Sequence, residues 1–150
     1  MIRKIAHELK VTVVPAKPSH IPAISEIRQA STPKWFQIPY LKKAVREKRA
    51  FVSMKGRIPC GVLVWNKDFY GHYFIDLVAV HPAFRRNGLA LALLQKMETI
   101  CRDKKLYCST NRSNKRMQKV LLKAKYRKAG SISYLERGDV EWIYYKKIPG

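Results

Sequence analysis

The sequence predicts a mixed α/β domain of the α+β kind, with a largely antiparallel sheet and one parallel pair of strands inside it. Three observations predict it. Residues 74–80 are almost wholly apolar and hold two β-branched valines, as a buried strand requires. A short loop with one glycine then leads to Ala90, Leu93, Leu94, Met97, Ile100 and Cys101, which recur at helical steps of three and four. Finally, Leu106-Tyr107-Cys108-Ser109-Thr110 follows that helix as a strand, and a strand–helix–strand crossover returns parallel to its first strand.

The remaining elements follow in order. Val11-Thr12-Val13-Val14 reads as a first strand, closed by Pro15 and Pro18. Ser19 is a candidate helix cap, and Ile21, Ile24 and Ile27 mark one helical face, provided that Pro22 lies in the first turn. Residues 31–39 read as a loop carrying Trp35 and Phe36, followed by a short helix from Tyr40 to Lys48 with Leu41, Ala44 and Val45 inward. Residues 50–54 and 60–65 are strands joined at Lys55-Gly56-Arg57, and a second turn near Phe69-Tyr70-Gly71 leads into the central strand. This is an antiparallel meander. Asn114 opens a helix whose apolar face is Met117, Val120, Leu121 and Ala124. Strands near 131–136 and 140–147, parted by Arg137-Gly138-Asp139, end the chain.

Composition bounds the rest. The 150 residues are enough for a single domain, 1–150, with its own core, and 47% of them are hydrophobic. Formal charge is +21, from 31 Lys and Arg against 10 Asp and Glu. A field of that sign draws phosphate-rich or acidic partners. Cys60, Cys101 and Cys108 have no metal-like spacing, and their odd number argues for a reducing compartment, the cytoplasm. Arg3, Lys4, His7, Glu8 and Lys10 interrupt any leader-like apolar run, and no stretch approaches the roughly 20 residues that span a bilayer. No metal and no membrane partner are expected.

The loop after the central strand carries the chemistry. Pro82 has no backbone donor and ends the ladder. The helix beyond exposes its first N–H groups at the positive end of its dipole, a place that attracts phosphate. Gly88 and the small Ala90 let an anion come near the backbone, while Arg85 and Arg86 add full charges. An ordinary strand-to-helix turn with a surface Arg pair is the plainer reading of those residues alone.

The wider pattern, Val78-x-Val80-x-Pro82-x-x-Arg85-x-x-Gly88-x-Ala90, resembles the acetyl-CoA signature of the GNAT family of N-acetyltransferases, in its strand–loop–helix setting. The order and lengths of the other elements match that family over essentially the whole chain. The resemblance implies a sheet of about six or seven strands with about four helices on both faces, its central parallel pair splayed apart. It implies acetyl-CoA as co-substrate, held by Val78, Ala79, Val80, Arg85, Arg86, Asn87, Gly88, Leu89 and Ala90. Main-chain groups of Val78 and Val80 would bond the cofactor arm, and an N–H aimed at the thioester oxygen would stabilise the tetrahedral oxyanion, a donor worth ~3 kcal/mol of barrier. Core packing is the structural role open to the same valines. Asn114 matches a position that contacts the cofactor arm and equally suits a helix N-cap. In the family, the segment with Trp35 and Phe36 helps form the acceptor side.

Asp76 shares the strand face of Val78 and Val80, so it is a candidate base or water-positioning group; accepting hydrogen bonds from strand-end N–H groups would explain it as well. Where many family members carry a proton-donating Tyr, this chain has Leu121 followed by Leu122, and where they have Gly-Phe it has Lys125-Tyr126. Tyr126 is the candidate acid from a shifted position, with Tyr107 and Tyr134 behind it. Lys42, Lys43, Arg46, Lys48 and Arg49 form one basic cluster. Lys104, Lys105, Arg112, Lys115, Arg116, Lys119, Lys123, Lys125, Arg127 and Lys128 form another. Two functions follow. One is direct acetyl transfer to a primary amine on a protein or small molecule, by a monomer or homodimer. The other is a binding module of the same fold, with weak or lost catalysis, whose basic surface holds nucleic acid, a ribonucleoprotein or an acidic protein.

Overall fold

The structure is a computed structural model describing residues 10–31 and 37–149, so Trp35 and Phe36 lie outside the described residues. Seven strands form one sheet: β1 (Val11–Pro15), β2 (Ala50–Lys55), β3 (Ile58–Phe69), β4 (His72–Val80), β5 (Lys105–Asn111), β6 (Arg127–Glu136) and β7 (Asp139–Lys147). Their order is β1-β2-β3-β4-β5-β7-β6. Four α-helices are described: α1 (Ile21–Ser31), α2 (Ile38–Arg46), α3 (Leu89–Ile100) and α4 (Lys115–Lys123). The β1–β2, β2–β3, β5–β7 and β6–β7 pairs are antiparallel, and β4–β5 is parallel. The parallel ladder holds Tyr73–Leu106, Phe74–Tyr107 and Ile75–Cys108 and stops there, although β4 runs on to Val80 and β5 to Asn111. The mixed fold with its single, early-ending parallel pair is the one expected from the sequence.

Among the described residues, contacts gather into two units, those up to 65 with 77–96 and those of 66–76 with 97–149. In the first, alternate residues of the meander meet two helices. Ala50 and Val52 of β2, Val62 and Val64 of β3, and Leu77 and Ala79 of β4 form one core with Ile24 and Ile27 of α1 and Leu41, Ala44 and Val45 of α2. The alternation follows from the two-residue period of a strand. In the second unit, Leu106, Cys108, Leu121, Ala124, Tyr126, Ile143 and Tyr144 are buried. Phe74, Phe69, Tyr107 and Tyr145 form, in that order, a row of rings with neighbouring centroids 4.8, 5.2 and 6.3 Å apart.

Several local expectations change. Ser19 does not cap a helix: it lies inside a 3-10 turn, Pro18–His20, in which His20 Nδ1 accepts from the Lys17 N–H at 3.0 Å. α1 starts at Ile21, so Pro22 does fall in the first turn, where its missing donor costs nothing. α2 begins at Ile38 and ends at Arg46 rather than spanning Tyr40–Lys48, because Pro39 also fits a first turn. β3 and β6 outrun their predicted ends, since pairing with β2 and β7 supplies backbone partners that single-strand propensity does not register.

Candidate active site

β4 is two-faced. Tyr73, Ile75, Leu77 and Ala79 are buried, whereas Phe74, Asp76, Val78 and Val80 are half-buried. Val78 and Val80 therefore present side chains outside the core, and Ala79 packs within it. The strand ends as the His81 N–H donates to the Cys60 carbonyl at 2.8 Å. His81 Nδ1 accepts from the Ala83 N–H at 3.1 Å and caps the 3-10 turn Pro82–Phe84.

The chain then reverses hand twice. Arg86 has φ +67° and Gly88 φ +72°, on either side of Asn87. Alternation of this kind turns successive N–H groups toward one concavity, which suits an anion. Among the described residues nothing lies within 4 Å of the place a Cβ on Gly88 would take, which leaves the backbone there open to a ligand. The Asn87 side-chain amide donates to the carbonyls of Phe84 (2.9 Å) and Arg85 (3.1 Å) and so holds the turn closed on itself. α3 begins at Leu89, which is buried, and the first helical bond runs from the Ala92 N–H to the Gly88 carbonyl at 3.0 Å. Among the described residues, none accepts from the backbone N–H groups of Asn87, Gly88, Leu89, Ala90 and Leu91. Arg86 is exposed and Arg85 half-buried.

One participant escaped the sequence reading. Lys55, at the end of β2, is 4% exposed, and its Nζ donates to Asn87 Oδ1 at 2.9 Å. Thirty-two positions separate the pair, and nothing in the local sequence around Lys55 distinguishes it from a turn lysine. Leu89, too, was assigned to the loop, and its anchoring role emerges only from the packing.

The other candidates lie in the second unit. Asn66 Nδ2 donates to Asp76 Oδ1 at 2.5 Å, and the Asp68 N–H donates to Asn66 Oδ1 at 2.6 Å. Asn114 caps α4, its Oδ1 accepting from the Met117 N–H at 3.2 Å. Gln118, not foreseen as inward, is buried because its amide donates to the carbonyls of Asn111 and Arg112. Leu121 is buried and Leu122 exposed. Lys125 adopts φ +71°, the left-handed position after a helix end that glycine favours, so the lysine stands in glycine's conformation.

Tyr126 is 1% exposed and donates to Glu98 Oε2 at 3.2 Å, while Lys146 holds the other Glu98 oxygen at 2.6 Å. Burial first, and then the Glu98 carboxylate, push the phenol pKa far up. The side chain is thus enclosed, with its hydroxyl engaged by Glu98. Tyr107 is held within its ring row, and Tyr134 is 99% exposed on β6. All three cysteines are free and buried, and burial raises the pKa of each thiol.

Both basic clusters are solvent-facing: Lys42, Lys43, Arg46 and Lys48 around α2, and Arg112, Lys115, Arg116, Lys119, Lys123, Lys125, Arg127 and Lys128 around α4. Lys128 Nζ stands 3.7 Å and Lys115 Nζ 5.7 Å from the ring centre of Trp142. Among the described residues no helix is long and apolar enough to cross a membrane, and no group of three or more His, Cys, Asp or Glu could hold a metal ion.

The end of β4, its left-handed loop and the start of α3 lie inside the stretch that a family comparison assigns to the acyltransferase class. The chain belongs to the acetyltransferase (GNAT) family, whose model matches residues 21–126. It is similar to the acetyltransferase of the GNAT family from Bacillus cereus ATCC 10987, at 28% identity over 94% of this chain and 99% of that one, with a TM-score of 0.87. In fold it also resembles Ard1 from Thermoplasma volcanium (18% identity, 93% and 99% covered, TM-score 0.83). A third likeness of fold is to Arabidopsis thaliana Naa50 in complex with the bisubstrate analogue CoA-Ac-MVNAL (15% identity, 91% and 98% covered, TM-score 0.75). No curated protein matches the sequence.

Proposed function

We propose that residues 1–150 act as one catalytic domain that moves an acetyl group from acetyl-CoA directly to a primary amine of a protein or small molecule. The observation that carries this reading is the run of backbone N–H groups from Asn87 to Leu91 without acceptors among the described residues, set in a turn with left-handed Arg86 and Gly88. Those donors, the dipole of α3 and the Arg85 and Arg86 charges fit a diphosphate. Acetyl-CoA supplies the acetyl group already activated as a thioester. In this reading Arg85 to Ala90 hold the diphosphate, and the main chain of Val78, Ala79 and Val80 holds the arm. Asn114 offers the arm its side-chain NH2 while its oxygen caps α4. Asp76, positioned by Asn66, accepts or relays the proton that the amine loses.

Direct transfer fits the cysteines. Each thiol is buried with a raised pKa, so none offers the thiolate that an acyl-enzyme would need. Free thiols also suit the reducing cytoplasm. The leaving thiolate has an ordinary thiol pKa near ~8.5, so solvent can protonate it without Tyr126. The test is incubation with isotope-labelled acetyl-CoA, followed by mass spectrometry of amine-bearing proteins and metabolites. Labelled amides support the reading; label on a cysteine of the chain, or none on any amine, overturns it.

A second reading, a binding module for nucleic acid, draws on Leu121 at the place of the usual tyrosine and on Lys115 and Lys128 flanking Trp142. Thermal stabilisation separates the two. Acetyl-CoA at 100 times its dissociation constant adds about 2.7 kcal/mol under the first reading. Under the second, only an oligonucleotide stabilises, and salt abolishes the effect.

A further inference from the structure

Lys55 has no part in the family pattern, yet its ammonium donates to Asn87 within the loop assigned to the diphosphate. An ammonium group can only donate, so the Asn87 oxygen must face it. That leaves the Asn87 NH2 facing the other way, where it donates to the Phe84 and Arg85 carbonyls at 2.9 and 3.1 Å. With the amide reversed, two carbonyls would meet a third oxygen and the turn would lose both bonds. Lys55 thus fixes the orientation of the one side chain that closes the turn, and the left-handed Arg86 and Gly88 follow on either side of it.

Charge adds to geometry. Lys55 is 4% exposed, so its positive charge acts through protein rather than through water and is felt more strongly at the loop than a surface lysine would be. Asn87 bridges it to the carbonyls of Phe84 and Arg85.

We propose that Lys55 is a positioning residue for the diphosphate-binding loop, acting through Asn87, and that the preference of this chain for donors carrying a diphosphate depends on it. The inference rests on the acetyl-CoA reading above. It concerns only the diphosphate, so a ligand lacking that group does not sense the pair.

The experiment is calorimetric titration of the full chain with coenzyme A and, separately, with pantetheine, which lacks the nucleotide and both phosphates of the bridge. Lys55→Met keeps all but the last atom's length of the side chain and removes its charge. It is expected to weaken coenzyme A at least about tenfold, as loss of a charge-assisted hydrogen bond does, and to leave pantetheine affinity unchanged. Asn87→Ala keeps the lysine and breaks its link to the turn, and it is expected to show the same selective loss, which keeps the test decisive should Lys55→Met fold poorly. Coenzyme A affinity within about twofold of the unaltered chain, or an equal loss for both ligands, overturns the inference. If the unaltered chain binds neither ligand, the acetyl-CoA reading itself fails, a result distinct from either variant outcome.

Discussion

Asn66 holds Asp76 by a hydrogen bond of 2.5 Å, and it is itself held, because its oxygen takes the Asp68 N–H at 2.6 Å. With both ends of the amide engaged, Asn66 cannot rotate without breaking one of these bonds. The carboxylate on the half-buried face of β4 is therefore aimed by a side chain 9% exposed rather than left to solvent. If Asp76 takes or relays the amine proton, Asp76→Asn lowers kcat by about 100-fold or more and leaves coenzyme A binding intact. Asn66→Ala lowers it by a smaller factor, about tenfold. Turnover unchanged in Asp76→Asn removes this residue from the mechanism.

Lys125 offers a stabilising change. The Tyr126 N–H donates to the Leu121 carbonyl at 2.9 Å and the Lys125 N–H to the Leu122 carbonyl at 3.0 Å, the paired bonds that close a helix through a left-handed residue. A side chain at φ +71° meets its own backbone. Lys125→Gly is expected to raise unfolding free energy by about 1 kcal/mol in urea titration, while Lys125→Ala gives no such gain.

Ser53 and Gly61 face each other across β2 and β3 in direct register. The Ser53 hydroxyl is buried without a hydrogen-bond partner among the described residues, and it occupies the place that a Cβ on Gly61 would need. The Ala79 carbonyl at 3.2 Å and Leu93 Cδ1 at 3.3 Å close the remaining sides. Gly61→Ala should destabilise by about 1–3 kcal/mol. Ser53→Ala should be neutral or mildly stabilising, since it deletes an unpaired buried hydroxyl. The double variant should recover part of the loss, which a double-mutant cycle reads as coupling; strict additivity would refute the contact.

Acid stability depends on Asp103. His72 Nδ1 lies 2.6 Å from one carboxylate oxygen and the Lys104 N–H donates to the other at 2.8 Å. These bonds, the His72 one foremost, hold its pKa below the ordinary 3.8. A carboxyl whose pKa is lower folded than unfolded binds fewer protons in the native state as pH falls. Its contribution is thus complete above the unfolded pKa and disappears as pH drops through the folded one. Melting temperatures of the unaltered chain and of Asp103→Asn should differ near neutrality and converge as pH falls past 3.8 and through the lowered folded value. A gap that stays constant with pH would show that Asp103 carries no such linkage.

Much of the fold was legible because it depends on local chemistry. Apolar residues at a period of two or of three to four, Pro82 after the strand, glycines at the hairpin turns and Pro22 in a first turn each constrain their own neighbourhood. The same holds for the stretch from Val78 to Ala90, whose residue types specify a strand, a tight turn and a helix start without help from the rest of the chain. Gln118 was not legible, because an amide at an inward position is buried only when carbonyls happen to meet it, as those of Asn111 and Arg112 do. The capping expectation at Ser19 failed for a similar reason, since His20 satisfied the nearby N–H first.

By itself, then, the amino-acid order determined the succession of strands and helices and the turn at Arg85 to Ala90, since both are settled by side chains and backbone within a few positions of one another. Only the tertiary structure decided that Lys55 reaches Asn87, that Asn66 aims Asp76, and that Tyr126 is shut away against Glu98. Each of those depends on which distant segments are brought to hydrogen-bonding distance, and a bond across tens of residues leaves no periodicity in the chain that makes it.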